Sequence, residues 1–251
     1  MQKQLSLIPN LIMLLFFSLS AFADTSESLP VITLNDTNKT PYTTKSSDGF
    51  IDVLLTEAFK RIGYKYQAIR LPPERGLISA NDGVLDGEVN RIAGIEKTYK
   101  NLRRVAEKIR DSDFCVLSKN ANIVNSPQEL KKYVVGYIKG WKIYEKMMLG
   151  SSNVITADNP QQLLRLLKID RIDAALYTCL QGAIIAKNLN IEGVKVLEPR
   201  LKQRQMHLYL NKKYEHLVPA LNQALQDIKQ EGLYDNWYKE KILPYVISSQ
   251  G

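Results

Sequence analysis

Two stretches of the sequence share one pattern: PERGLISANDGVLDG at residues 73–87 and PQQLLRLLKIDRIDA at residues 160–174. Each begins with a proline, which is favoured in the first turn of a helix, and ends with an apolar residue, an aspartate and a small residue. Proline and aspartate are separated by the same number of residues in both stretches. This repeat predicts one helix–turn–strand unit in each of two similar α/β lobes, with a cleft for a small ligand between them. Chance similarity of two such units is the alternative.

The N-terminus has the pattern of an export signal. Lys3 supplies a positive charge, residues 11–19 form an apolar run, and Ala21-Phe22-Ala23 fits a cleavage site. The apolar run is too short to span a bilayer comfortably, and no cysteine follows for lipid attachment. We therefore expect residues 1–23 to be removed as a signal peptide, which leaves a freely soluble protein in the periplasm. An uncleaved anchor is the alternative.

The formal net charge of the 251 residues is +8, and the basic residues are scattered along the chain. An exported protein without an aromatic and basic cluster is a poor candidate for nucleic-acid binding, so we exclude that class. A modest preference for anionic ligands is the fairer inference. The mature length is sufficient for one large or two small α/β lobes. We expect the protein to be a monomer.

The cysteines and histidines carry few signs of chemistry. Cys115 and Cys179 are either a disulfide or two small buried apolar residues, and their spacing does not decide between these. His207 and His216 are the two histidines, and neither has metal-ligand spacing. Hydrolase and phosphate-binding motifs are missing from the sequence as well. The sequence therefore predicts no metal, no cofactor and no enzymatic activity.

Strand and helix patterns alternate along the chain, which predicts an α/β fold with largely parallel sheets. An amphipathic pattern at residues 217–228, stopped by Gly232, is the last helix that we expect. Ser126 and Asn159 each precede a proline and are expected to cap helices. The other expected elements are a helix at residues 51–62 and strands at 29–34, 64–69, 114–117, 133–138, 194–197 and 206–210.

Several segments, in this order and spacing, resemble the family 3 extracellular solute-binding proteins, periplasmic receptors best known for the uptake of polar amino acids. The resemblance covers almost the whole mature chain. It implies a two-lobed type II fold in which two strands act as a hinge, with residues 24–117 and 207–251 in the first lobe and 118–206 in the second. The segments are GFIDVLLTEAF at residues 49–59, Leu85-Asp86-Gly87, VGYIKG at 135–140, Ile172-Asp173-Ala174, ALNQAL at 220–225 and Gly232-Leu233-Tyr234.

The chain departs from this family at two positions that bind amino acids. Family members usually place an aspartate for the ligand ammonium where this chain has Thr178. Their Thr-x-x-Arg turn, which binds the ligand carboxylate, is replaced here by NRIAGIEKT at residues 90–98, with Arg91 nearer the strand end. These departures point away from a standard α-amino acid as the ligand.

Arg91 is the residue most expected to bind the acid group of a ligand, because a guanidinium binds a carboxylate or phosphate with two parallel hydrogen bonds. A surface arginine is the alternative. Arg75 lies where helix N–H groups also favour an anion, although Glu74 could simply neutralise it. The two aspartates of the repeat are expected to be structural.

Two aromatic residues and one strand end complete the expected ligand site. Tyr42 matches the aromatic residue that covers the ligand in the family, and Trp141 is expected to add a second ring from the other lobe. Core packing is the alternative for both rings. Tyr177 and Thr178 end a predicted strand and are expected to offer hydroxyl groups.

The sequence therefore predicts a periplasmic protein that closes on a small anionic or zwitterionic metabolite, an amino acid or organic acid. It would deliver this ligand to an ABC importer or report it to a membrane sensor. A carbon–oxygen lyase using Glu74, Glu88 or Asp86 is one alternative, resting on analogy with dehydratases of the same fold. A scaffold whose cleft has lost its ligand is the other.

Overall fold

The computed structural model describes residues 28–250, and the side chains of residues 28–247. The predicted signal peptide lies outside this range. Helices and strands alternate as the sequence predicts. The elements are β1 (Val31–Asn35), α1 (Phe50–Arg61), β2 (Lys65–Ile69), α2 (Pro73–Asn81), β3 (Gly87–Ile92), β4 (Leu102–Ser118), α3 (Pro127–Leu130), β5 (Val135–Ile138), α4 (Lys142–Met147), β6 (Val154–Ala157), α5 (Pro160–Lys168), β7 (Ala174–Thr178), α6 (Cys179–Asn188), β8 (Lys195–Asn211), α7 (Val218–Gln230), α8 (Leu233–Lys241) and α9 (Leu243–Gln250), with 3-10 turns at Ile95–Lys97 and Lys212–Leu217.

The strands form a sheet in the order β2-β1-β3-β8-β4-β7-β5-β6. The three strands at each end are parallel to one another where they pair. The two middle strands, β4 and β8, have 17 residues each and pair antiparallel through both halves. The predicted α/β class, with a mostly parallel sheet in each half and two strands joining the halves, is confirmed.

We use "first lobe" for the half of the sheet that contains β1–β3 and "second lobe" for the half that contains β5–β7. The boundaries predicted at residues 117 and 206 fall inside β4 and β8, which run unbroken from one lobe to the other. The exact division therefore stays a prediction. The C-terminal helix α9 contacts α8 and also packs against α6 of the second lobe.

The repeated unit is present in both lobes. Helices α2 and α5 have nine residues each and begin at the prolines of the repeat. Asp86 Oδ2 accepts a hydrogen bond from the backbone N–H of Thr33 at 2.8 Å, and Asp173 Oδ2 accepts one from the N–H of Val134 at 2.7 Å. Each aspartate thus joins the start of its own strand to the neighbouring parallel strand, at the middle of β1 for Asp86 and just before β5 for Asp173. The structural role expected for both aspartates is confirmed.

The cap predictions also hold. The side chain of Ser126 accepts a hydrogen bond from the N–H of Glu129, and the side chain of Asn159 accepts one from the N–H of Gln162. These bonds satisfy backbone donors that the first turn of a helix leaves unpaired.

Two predictions about the second half of the chain are wrong. The strands expected at residues 194–197 and 206–210 are one continuous strand, β8, because the polar segment between them pairs with β4 while its side chains stay largely exposed. Helix α7 is not the last helix, since α8 and α9 follow it. Helix α8 has no fully buried residue and therefore lacks the apolar stripe by which a helix is recognised in sequence. Within residues 28–250, no helix combines the length and the apolar character needed to cross a membrane.

Cys115 and Cys179 form a disulfide with a Cα–Cα distance of 5.1 Å. Cys115 is fully buried on β4, and Cys179 is the first residue of α6. The bond therefore ties the beginning of a second-lobe helix to one of the two strands that join the lobes. This settles the alternative that the sequence left open.

Candidate functional site

The candidate site lies between the lobes, where the loops that follow the parallel strands of each lobe face one another. In sheets of this kind, ligands bind at the carboxyl ends of the strands. Residues from both lobes line a cavity of about 40 Å³, which we call the tryptophan cavity; they include Thr37, Arg91, Phe114, Trp141 and Thr178. An adjoining space of about 210 Å³ shares Thr37 and Trp141 and adds Tyr177.

Arg91 lies on the wall of the tryptophan cavity, but its charge already has a protein partner. Its Nε donates to Glu88 Oε2 at 2.8 Å, and its Nη2 donates to the carbonyl oxygen of Pro73 at 2.9 Å. Glu88 is fully buried, which raises its pKa, while Arg91 and a hydrogen bond from Asn35 Nδ2 act in the opposite direction. Two of the three guanidinium nitrogens of Arg91 are therefore committed within the first lobe.

An aromatic cluster fixes the position of Trp141. Its ring lies parallel to the ring of Tyr144, with centroids 5.9 Å apart, and 4.8 Å from the ring of Tyr177. Tyr144 Oη in turn donates to the carbonyl oxygen of Tyr177 at 2.6 Å. Burial raises the pKa of Tyr177, so its phenol is protonated and able to donate. The rings thus form a rigid apolar wall in the second lobe.

Thr178 takes part in a polar contact that joins the two lobes. Its Oγ1 donates to Gln181 Oε1 at 3.2 Å, and Gln181 Nε2 donates to the carbonyl oxygen of Lys39 at 2.9 Å. Lys39 belongs to the loop after β1, in the first lobe. The hydroxyl of Thr178 therefore positions a glutamine that bridges the lobes.

A second bridge crosses the cleft at Glu74. Lys142 Nζ lies 2.7 Å from Glu74 Oε2. Burial lowers the pKa of Lys142, but its hydrogen bonds to Glu74 and Glu145 outweigh this effect and raise the pKa overall. Gly140 has φ +86°, and a Cβ atom at this position would lie 2.4 Å from the backbone nitrogen of Glu74. The two lobes are thus in close contact, and glycine is required where they meet.

Tyr42 lies at a second and larger cavity between the lobes. This cavity, which we call the tyrosine cavity, has a volume of about 660 Å³ and is lined by Tyr42, Arg110, Ser112, Thr178 and Tyr234, among others. The guanidinium carbon of Arg110 lies 4.0 Å from the centroid of the Tyr42 ring. Volumes of about 300–1,000 Å³ are usual for ligand pockets, so the tyrosine cavity has the size of a metabolite site.

Arg75 lies apart from the other expected residues. Its side chain is exposed on the first turn of α2, and it lines neither cavity. Arg110 and Ser112 were not expected from the sequence. The signal that could have revealed them is the run of four polar residues at 110–113, directly before the apolar strand segment that was recognised.

Comparison with known proteins identifies the fold. No family model matches the sequence. An uncharacterized protein from Shewanella oneidensis is 26% identical over 258 residues, which cover 96% of each chain. The crystal structure of a histidine kinase sensor domain with similarity to periplasmic binding proteins superimposes with a TM-score of 0.75 at 12% identity, covering 86% of this chain and 96% of that one. The substrate-binding protein of an amino acid ABC transporter superimposes with a TM-score of 0.69 at 16% identity, covering 84% of this chain and 99% of that one.

Both structural neighbours cover nearly the full length of their own chains, and both have the architecture built up above from the strand order. Their low sequence identity limits the conclusion to architecture. The chain has the two-lobed fold of periplasmic binding proteins.

Proposed function

We propose that this protein is a periplasmic solute-binding protein that captures a small anionic or zwitterionic metabolite, an amino acid or organic acid, between its lobes. The observation that carries the proposal is the cleft itself, in which buried arginines, hydroxyl groups and aromatic rings from both lobes face common cavities. Ligand pockets combine an apolar lining with a few placed polar groups in the same way. The two-lobed fold supports this use.

The expected ligand residues have different roles in this proposal. Trp141 and Tyr177 pack against the body of the ligand, and Thr178 sets specificity at the wall shared by the two cavities. Arg91 lines the tryptophan cavity as half of an ion pair, which limits the charge that it can offer. Tyr42 contributes through the tyrosine cavity. We assign no ligand contact to Arg75, which is exposed and lines neither cavity.

Lobe closure supplies the mechanism. A ligand shifts a conformational equilibrium only by the difference in its affinity for the two states. In the closed form, the Lys142–Glu74 pair and the Gln181 bridge add contacts between the lobes. Each is partly exposed or neutral and worth about 1 kcal/mol or less. The ligand therefore has to supply most of the free energy that keeps the lobes together.

A partner protein recognises the closed form. The fold is shared with an importer's binding protein and with a sensor domain, so we propose delivery to an ABC importer or report to a membrane sensor, by a monomer in the periplasm. The lyase alternative gains no support from the site. Glu88, Glu74 and Asp86 are each engaged in an ion pair, with Arg91, Lys142 and Lys213 respectively.

A thermal-shift screen tests the proposal. The mature protein is titrated with amino acids, dicarboxylates, other organic acids, phosphorylated metabolites and the primary amides of the acids. A ligand at a hundred times its Kd adds about 2.7 kcal/mol to the free energy of unfolding, which raises Tm by roughly 5–10 °C for a chain of this size. Small-angle scattering on each hit should show a smaller radius of gyration. A panel without any hit would contradict a metabolite-binding function.

A further inference from the structure

Buried polar atoms without partners are concentrated in one short segment of β4. Five buried side-chain nitrogen or oxygen atoms lack a hydrogen-bond partner in the described part of the chain, and three of them belong to residues 110–113. They are Arg110 Nη2, Ser112 Oγ and Asp113 Oδ1. Since nearly all buried polar groups in folded proteins are hydrogen-bonded, such a cluster requires an explanation.

The Arg110 side chain is fixed by its neighbours, and one of its guanidinium nitrogens has no hydrogen-bond partner. The residue is 3% exposed, and its guanidinium lies over the ring of Tyr42. Nε donates to Asn90 Oδ1 at 2.9 Å and Nη1 donates to the carbonyl oxygen of Asp111 at 3.2 Å, so only Nη2 is unpaired. Asn90 reaches this position from the left-handed backbone region, with φ +67°, which asparagine tolerates better than most residues. The surrounding residues thus fix the orientation of a buried cation.

Ser112 places a second donor on the same face of the strand. Alternate residues of a strand face the same side, and both Arg110 and Ser112 line the tyrosine cavity. Ser112 is 2% exposed, and its hydroxyl is unpaired. Cys179, the first residue of the ten-residue helix α6, lines the cavity as well, and the N-terminus of a helix favours a negative charge. The Arg110 cation, the Ser112 hydroxyl and the N-terminus of α6 all favour a negatively charged ligand group.

Acidic residues also line this cavity, but two of them are already neutralised. Asp111 pairs with Lys108 at 2.7 Å, and Asp113 pairs with Arg200 at 2.7 Å through its other oxygen. Glu198 and Asp235, the other two acidic residues of this lining, are exposed, so solvent screens their charges. The guanidinium therefore has no carboxylate of its own, in contrast to the ion-paired arginine of the tryptophan cavity.

We infer that Arg110 and Ser112 bind the oxyanion of the ligand, a carboxylate or a group of similar chemistry, in the tyrosine cavity. The inference rests on the proposed function and names its anchor. It places the acid group against β4, one of the two strands that join the lobes, and opposite the start of α6.

The first test compares each acid that binds with its uncharged primary amide, by isothermal titration calorimetry. The wild-type protein should prefer the acid by about 30-fold or more, since a buried arginine left unpaired is costly. Arg110→Gln should abolish this preference. Arg110→Lys keeps the charge but lacks the parallel N–H donors of a guanidinium, so it should reduce the preference. Arg204→Gln is the matched control, because Arg204 pairs opposite Ser112 in the ladder but is exposed.

Ser112→Ala gives a second test whose two readouts move in opposite directions. Removing a buried hydroxyl that has no partner should raise Tm of the ligand-free protein by a few degrees, whereas affinity for the acid should fall by about tenfold or more. A purely structural serine would lower Tm and leave affinity unchanged, and that result would overturn the inference.

The outcomes separate the inference from the function on which it rests. If the wild type binds acids and Arg110→Gln retains the full acid preference, the anchor is wrong and the binding function stands. If the wild type prefers the amides, the oxyanion assignment is wrong. If the wild type binds no member of the panel, the proposed function itself fails.

Discussion

Removing the disulfide between Cys115 and Cys179 should cost the protein a large part of its stability. The cross-link closes a loop with a sequence separation of 64 residues. In the chain-entropy estimate, closing a loop of this length removes about 14 cal/mol/K from the unfolded chain, which corresponds to about 4 kcal/mol at 25 °C. For a chain of this size, each kcal/mol lowers Tm by about 2–4 °C, so a loss of roughly 8–16 °C is expected.

The assay is urea unfolding of the double variant Cys115→Ala/Cys179→Ala beside the wild type. Alanine is the better replacement because Cys115 is fully buried, and serine would add an unpaired hydroxyl there. The wild type under a reducing agent provides a control without any substitution, and its free energy of unfolding should fall by a similar amount. The urea dependence should also steepen, because the unfolded chain without the cross-link exposes more surface.

A loss below about 1 kcal/mol for both the double variant and the reduced wild type would refute this reasoning. Such a result would mean that the unfolded chain is already compact between the two positions, so that the cross-link removes little freedom. A loss in the double variant alone would point to packing of the sulfur atoms instead of the cross-link.

Three further predictions concern residues outside the proposed anchor. Gly140→Ala should weaken ligand binding by about tenfold or more, because its Cβ would lie 2.4 Å from the backbone nitrogen of Glu74 when the lobes close. Isothermal titration calorimetry measures this loss. Gly193→Ala is the control, since Gly193 also has a positive φ but lies in open space, and this variant should bind normally. Burial lowers the pKa of His207 from its ordinary 6.5 in the folded state, so the unfolded state binds more protons and the free energy of unfolding should fall as pH drops below about 6.5. Urea titrations at pH 7.5 and 5.5 measure this fall, and in His207→Gln the part of it that His207 contributes should be absent. Asp173→Ala should lose about 0.5–1.5 kcal/mol of unfolding free energy without a change in ligand affinity, and altered affinity would contradict its structural role.

The repeat and its lobes could be predicted because the same residue pattern occurs twice in the sequence. The proline in the first turn acts locally, and although each aspartate bonds to a distant strand, both residue types recur at the same spacing. The continuous strand β8 and helix α8 were not predicted because their stability comes from distant partners. The polar middle of β8 is held by its ladder with β4, and α8 is held by half-buried aromatic residues.

The site was harder to predict for a related reason. Spacing could place Arg91 near a strand end, and in the structure Arg91 lies near the end of β3 and lines the tryptophan cavity. It could not show that the strand bulges between Glu88 and Arg91, or that the two side chains form an ion pair. Nor could it show that Arg110 is buried without a carboxylate. Whether a buried charge is available to a ligand depends on contacts that only the folded chain defines.

The disulfide and the proposed anchor are connected through one pair of strands. Phe114 pairs in register with Thr178, and Cys115 pairs with Tyr177, so the covalent bond to Cys179 fixes the wall that Thr178 shares with Ser112. A wall that is rigid before binding loses less entropy when the ligand arrives. Breaking the disulfide should therefore weaken acid binding as well as stability, even though neither sulfur needs to touch the ligand. If the reduced protein at 25 °C binds as tightly as the oxidised one while its unfolding free energy is lowered, the cross-link serves the fold alone.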